Sequence, residues 1–273
     1  MMKLFGVVAG LLLCSFAAYG QDNEEKTKDS DVWHWEVQMH VGGVYYENPL
    51  KHVEQEEFID YIELIFSFDL YYKGFFIQSN RRRSNPAEID FGYQITSGDD
   101  WALDVILKNY FEDISQSDLD DSNASHLSTR DNALGTALRY SKYFDNAQYT
   151  VEAATVNFDE GANGWAVESF YSHLIPYRNW DIYLGAGVTF FSANTVNYYV
   201  GIEERDAIGH LFAYRPGAAY EIEAEAHAVY PLAEDWTLRL GITKSYLSDN
   251  LNDSPIGIRA NTTYMKLGVS YVF

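Results

Sequence analysis

The last twelve residues, Thr262 to Phe273, admit very few folds. Counting back from Phe273, the residues Tyr271, Val269, Leu267 and Met265 are large and apolar, while Ser270, Gly268 and Lys266 between them are small or polar. Successive side chains of a strand point to opposite faces, so this segment is a strand facing two solvents. An apolar face, a polar face and an aromatic carboxyl terminus describe the closing strand of a bacterial outer-membrane β-barrel. Met265, Leu267, Val269, Tyr271 and Phe273 are therefore expected to form the C-terminal signal that the barrel-assembly machinery reads.

The opposite end fits export. Lys3 gives a positive start, Leu4 to Phe16 is a mostly apolar run, and Ala18-Tyr19-Gly20 offers the small residues a signal peptidase needs. Residues 1–20 are expected to be a cleaved signal peptide, 21–31 a polar periplasmic segment, and 32–273 the barrel. The run is too short to cross a bilayer as a helix. A lipoprotein signal at Leu11-Leu12-Leu13-Cys14 fails on Leu13, where a small residue belongs. Removing the leader removes Cys14, the single cysteine, so neither disulfides nor thiol chemistry are expected.

Composition narrows the class further. The chain holds 22 Tyr, 16 Phe and 6 Trp, many for a soluble domain but suited to two interfacial girdles of rings that are apolar at one end and wet at the other. A net charge of -21 excludes a nucleic-acid partner, because a phosphate binder needs a basic surface. The only basic cluster is Arg81-Arg82-Arg83, expected in a loop facing anionic head groups or acidic neighbouring loops, or as a solvated strand end.

Period-2 segments recur along the chain. Trp33, Trp35, Val37, Met39, Val41 and Tyr45 alternate with His34, Glu36, Gln38 and His40, and Ile62 to Leu70 alternates with Glu63, Ser67 and Asp69. Further segments lie at 75–81, 89–95, 101–111, 132–143, 147–157, 164–175, 180–190, 218–230 and 236–247. Ala218 to Tyr230 is rich in the helix formers Ala and Glu, yet Tyr220, Ile222, Ala224, Ala226 and Ala228 share one face and Glu221, Glu223, Glu225 and His227 the other, so period makes it a strand. The expected fold is all-β: an antiparallel up-and-down transmembrane barrel of about twelve strands, or ten if 75–81 does not pair fully.

The connections alternate in length. Lys73-Gly74, Ser97 to Asp100, Asp145-Asn146, Pro176 to Asn179 and Pro231 to Asp235 are short and carry turn residues, whereas 47–57, 82–88, 112–131, 158–163, 192–217 and 248–261 are generally longer. Short turns belong on the periplasmic side and long loops outside, which places both termini in the periplasm.

Motifs of the C-terminal third carry a resemblance. Tyr198-Tyr199-Val200-Gly201, Ala213 to Gly217, Leu232 to Leu240 with Trp236, and above all Asp253-Ser254-Pro255-Ile256 follow one another in an order and spacing similar to the MipA/OmpV family of outer-membrane proteins. The likeness spans roughly 180–273, with strand rhythm alone before it. It implies a scaffolding barrel, the founding member of the family bridging a lytic murein transglycosylase and a bifunctional murein synthase. No catalytic or binding residues come with the family. The expected partners are outer-membrane lipid and lipopolysaccharide, the barrel-assembly machinery, and a murein hydrolase and synthase.

Chemistry is sought inside. The polar strand faces place Glu36, Glu63, Asp69, Asp90, Asp104, Glu152, Glu168, Asp181, Glu221, Glu223 and Glu225 in the lumen against Lys108, Arg139, Arg239 and Lys266. Such a lumen either favours cations in a water path or pairs its charges into a plug, and pairing is the reading adopted for a narrow barrel. Glu221, Glu223, Glu225 and His227 form the densest cluster, but carboxylates in a line do not close a coordination shell, so no metal is expected there. The acidic loop from Asp118 fails as an EF-hand, with Asn123 and Thr129 where Gly and Glu belong. No Gly-x-Ser-x-Gly element occurs and no Ser pairs with a His by spacing, so neither an enzyme nor a cofactor is expected. A small cation-leaning channel is the rival to the scaffold.

Overall fold

The computed structural model describes residues 32–50, 62–79, 83–84, 89–110, 127, 130, 134–157, 163–209, 211–256 and 258–273. The expected leader and periplasmic segment, the loop at 112–126 with its acidic residues, and Arg81 and Arg82 lie outside them.

The first half of the chain supplies β1 (His34–Tyr46), β2 (Ile62–Tyr72), β3 (Phe75–Ser79), β4 (Ile89–Gly98), β5 (Trp101–Asn109) and β6 (Leu134–Phe144). The second supplies β7 (Ala147–Asn157), β8 (Asn163–Tyr177), β9 (Trp180–Phe191), β10 (Ala219–Pro231), β11 (Trp236–Leu247) and β12 (Asn261–Val272). Helix α1 (Ala193–Val200) follows β9, and a single helical turn, α2 (Asp249–Asn252), follows β11. Each strand pairs antiparallel with its sequence neighbours, and β12 closes on β1, giving a closed barrel of twelve strands. β3 has only five residues but pairs on both sides, so the ten-strand alternative fails.

Alternation sets which face each residue shows. On β2, Ile62, Leu64 and Phe66 are 54–61% exposed, while Asp69 on the opposite face is buried. That inversion of the soluble-protein rule marks a wall whose outer solvent is lipid. β10 forms the strand its period demands, Glu225 and His227 buried inside and Ile222 exposed outside. Tertiary pairing with β9 and β11 overrides its helical composition.

Rings gather at both rims. At the short-turn end Trp33 stacks on Tyr72 with centroids 4.2 Å apart, Trp180 lies 4.8 Å from Tyr230, and Trp236, Tyr271 and Phe273 form a cluster. At the long-loop end Phe190, Tyr220 and Tyr246 run as a ladder across β9 to β11. The short turns are tight: Lys73 and Gly74 both have positive φ, 48° and 83°, the two-residue turn that matches strand twist. At the seam, the Phe273 amide donates to Val37 O at 2.9 Å, so the terminal aromatic is tied into β1.

Candidate functional site in the barrel lumen

Between β3 and β4, Arg83 and Ser84 lie inside the barrel. Arg83 reaches nearly across the ring of strands to β8 and β10. Nη1 lies 2.8 Å from Glu168 Oε1, Nη2 lies 2.6 Å from Glu223 Oε1, and the guanidinium sits 4.0 Å over the Phe170 ring. Phe170 can lie flat there because Gly187 opposite it on β9 has no side chain; a Cβ would come within 2.6 Å of the ring. Ser84 follows with its amide on Glu225 Oε2 at 3.0 Å and its hydroxyl on that of Thr243. This corrects the loop-surface reading of the arginine cluster: Arg83 is a lumenal cation whose partners are wall carboxylates.

From Arg83 the pairing continues. Glu168 also takes Lys108 at 2.7 Å, Lys108 reaches Glu152 at 3.3 Å, and Arg139 binds Asp90 at 2.6 Å and Asp104 at 3.3 Å. The Arg139 guanidinium stands over Phe76, 5.4 Å from its centroid. Acid and base thus alternate in one chain through β10, β8, β7, β6, β5 and β4. Charges removed from bulk water are tolerated because each has an opposite partner at hydrogen-bond distance. On the seam wall, Arg239 donates to Gln38, which donates to Glu36, and His40 shares a 3.0 Å bond with Ser270.

The predicted cluster on β10 is divided by these contacts. Glu223 and Glu225 serve Arg83 and Ser84, His227 stacks on Tyr183 with centroids 4.5 Å apart, and Glu221 stands nearest the long-loop end. His227 Nδ1 lies 4.0 Å from Glu225 Oε1. Among the described residues no three His, Cys, Asp or Glu side chains converge as a metal site.

Beyond the ion-pair chain, toward the long-loop end, the interior is apolar. Val196, Tyr199 and Val200 of α1 are at most 2% exposed and pack with Leu50, Leu251, Ile256 and Ile258 against Ile106, Val156 and Phe191 of the wall. A lumen polar throughout, as alternation alone suggests, is therefore corrected: its long-loop mouth is an apolar core. Ser192 starts α1 by accepting from the Thr195 amide at 3.3 Å, as an N-cap does. The family motif closes it: Ser254 Oγ donates to Val200 O at 2.7 Å and accepts from the Ile256 amide, with Asp253 exposed and Pro255 half-buried beside it.

Arg130 lies at the C-terminal end of α1, its Nη2 donating to Gly201 O at 3.3 Å. Burial pulls its pKa below the arginine range, and Tyr198, Asp206 and Glu203 oppose that pull. Burial, then Asp253 and Asp249, push the Tyr214 hydroxyl up, and that hydroxyl donates to Asn250 O at 3.1 Å. Sequence reasoning missed α1, though Ser192 followed by Val196, Tyr199 and Val200 carries a cap and a helical period. It missed Arg83 as well, whose signal was a basic run in so acidic a chain.

A closed barrel with a lipid-facing exterior, two aromatic girdles and a buried polar interior defines an outer-membrane β-barrel protein. A model of the family described as MltA-interacting protein MipA matches residues 41–273, and the chain belongs to that family. The MltA-interacting protein of Escherichia coli K12 is 26% identical over 159 residues, 57% of this chain and 63% of that one. Outer membrane protein OmpV of Vibrio cholerae is 27% identical over 103 residues, 38% of this chain and 40% of that one. The chain thus spans less than two thirds of these relatives. The NanC porin structure superposes with a TM-score of 0.43 at 10% identity, covering 85% of this chain and 98% of that one. The protein resides in the outer membrane, and neither the family nor the relatives' names indicate an enzyme.

Proposed function

We propose that this barrel is a closed, non-catalytic anchor that binds other envelope components at its rims, a murein hydrolase and a murein synthase among them. The observation that carries this reading is the Arg83 bridge from one side of the lumen to Glu168 and Glu223 on the other. A wall held together across its middle is suited to presenting fixed surfaces rather than passing solutes. The name of the E. coli relative, an MltA-interacting protein, supports the partner class.

Two measurements test it. In planar bilayers the purified protein is expected to give no steady conductance. In intact cells, crosslinkers at the periplasmic turns are expected to capture peptidoglycan-remodelling enzymes. The reading is overturned by a steady cation-selective current that falls when Glu221, Glu223 and Glu225 are all changed to Gln, because those carboxylates then line a water path. Arg83→Ala sharpens the comparison: current that appears only in this variant identifies the bridge as the seal.

A further inference from the structure

The outer wall carries a feature that neither the lumen nor the rims explain. Across β9 to β12 and β1 lies a groove of about 970 Å³; Ala226 and Ala228 of β10 form its low strip between Ile182 of β9 and Leu240 and Ile242 of β11, and Leu267 and Met265 of β12 stand between that strip and Gly43 of β1. Elsewhere the lipid face bears bulky residues such as Leu64 and Phe66. Here Ala228 points to lipid yet is only 9% exposed, sunk between its larger neighbours.

One pleat above the groove stands Lys244. Ile242 pairs with Met265 and Lys244 with Thr263 across β11 and β12, and Lys244 Nζ donates to Thr263 Oγ1 at 2.8 Å. Alternation puts this exposed lysine on the lipid face. Among the described strand residues Lys142 is the other outward Lys or Arg, and it sits beside the short turns, paired with Asp100. Eight residues separate Lys244 from Trp236 of the periplasmic girdle, about 20 Å along the membrane normal at ~3.3 Å per residue and ~40° tilt. With an apolar band ~25 Å tall, the Lys244 backbone lies about 5 Å inside the band's outer edge, within reach of the outer-leaflet head groups for an extended lysine side chain. The Phe190–Tyr220–Tyr246 ladder, two residues further along β11, marks that edge.

A lone lysine at that depth snorkels to water whatever lies beneath it. The groove directly below is what snorkelling leaves unexplained. We propose that the two form a binding site for lipopolysaccharide: an acyl chain of lipid A lies along Ala226 and Ala228, and a lipid A phosphate pairs with Lys244 and the Thr263 hydroxyl. The charge is complementary, and it faces the leaflet in which lipid A resides. A chain of net charge -21 otherwise repels phosphate, so a cation turned to that leaflet is selective rather than incidental. This site is independent of the anchor reading, since it uses the lipid face alone.

Native mass spectrometry of the folded barrel, titrated separately with Kdo2-lipid A and phosphatidylglycerol, tests the site. The wild type is expected to hold lipid A in preference to phosphatidylglycerol. Lys244→Gln is expected to weaken lipid A binding on the order of tenfold, the worth of one charge-assisted contact, and Lys244→Arg to keep it. Ala226→Leu with Ala228→Leu is expected to fill the groove and weaken binding while the protein stays heat-modifiable on a gel, leucine being at home on a lipid face. Should the double variant not fold, Lys244→Gln decides alone. Unchanged lipid A binding in Lys244→Gln overturns the proposal, and so does phosphatidylglycerol binding as tight as lipid A.

Discussion

The two ends of this barrel are built on opposite plans. At the short-turn end the strands are joined by minimal turns such as Lys73-Gly74 and Arg178-Asn179, and the aromatic side chains there, Trp33, Tyr177 and Trp236 among them, point outward and are 44–56% exposed. At the long-loop end the described pieces turn inward: α1 buries Tyr199, the last loop buries Ser254 and Ile256, and Arg83, after β3, reaches the far wall. Long loops lose more conformational freedom on ordering than short ones, so those that order need a core of their own. The lesson is that the wall closes by strand pairing and lumenal ion pairs, whereas the mouth adds a small apolar core of its own.

The comparison breaks outright if the ends are assigned the wrong way round. Glu204→Cys lies in the connection after α1, and Asn179→Cys in a two-residue turn. A membrane-impermeant maleimide on intact cells is expected to label the first and not the second. The reverse pattern means that the core-bearing end faces the periplasm.

The next effect is also all-or-none and concerns the plain end. Phe273 is tied to Val37 through its amide, and its ring packs 4.8 Å from Tyr271. Deleting Phe273, or changing Tyr271 to Asp, is expected to block insertion, with the protein degraded or held in the periplasm. Full outer-membrane levels of both variants, heat-modifiable on a gel, would mean that the seam assembles without its aromatic end.

The strand wall was legible in the sequence to within a few residues because lipid outside and polar groups inside impose a period of two on each strand. Even β10, with Ala and Glu favouring helix, kept that period. The mouth was harder to see. Residues 192–217 hold a helix that owes its stability to wall residues far away in sequence, Ile106 and Val156, which no local pattern exposes. Arg83 was misplaced for a related reason: its partners Glu168 and Glu223 are 85 and 140 residues away, a distance only closure of the barrel removes.

A graded effect follows from the mouth's core. Tyr199 is 1% exposed and Leu232, in a short turn, is 53% exposed. Tyr199→Ala is expected to lower unfolding stability by about 3–5 kcal/mol, and Leu232→Ala by no more than about 0.5 kcal/mol. Urea unfolding of the refolded barrel, followed by tryptophan fluorescence, measures both. Equal shifts would show that the mouth adds nothing beyond what the wall supplies.

A smaller change than that of Tyr199→Ala isolates the contact that joins the two outermost loops. Ser254 is 4% exposed and makes two bonds, donating to Val200 O at 2.7 Å and accepting from the Ile256 amide at 3.4 Å. Val200 ends α1, where the last carbonyls lack helical partners, so the hydroxyl satisfies an acceptor that water does not reach. Ser254→Ala keeps the shape and strands that carbonyl, for a cost of about 1–3 kcal/mol; Ser254→Thr keeps the hydroxyl and is expected to recover part of it. A loss with Ala that Thr restores assigns the motif Asp253-Ser254-Pro255 to holding α1 in the mouth. If Ala costs nothing, the carbonyl is satisfied another way, and the mouth's core holds the helix by apolar packing alone.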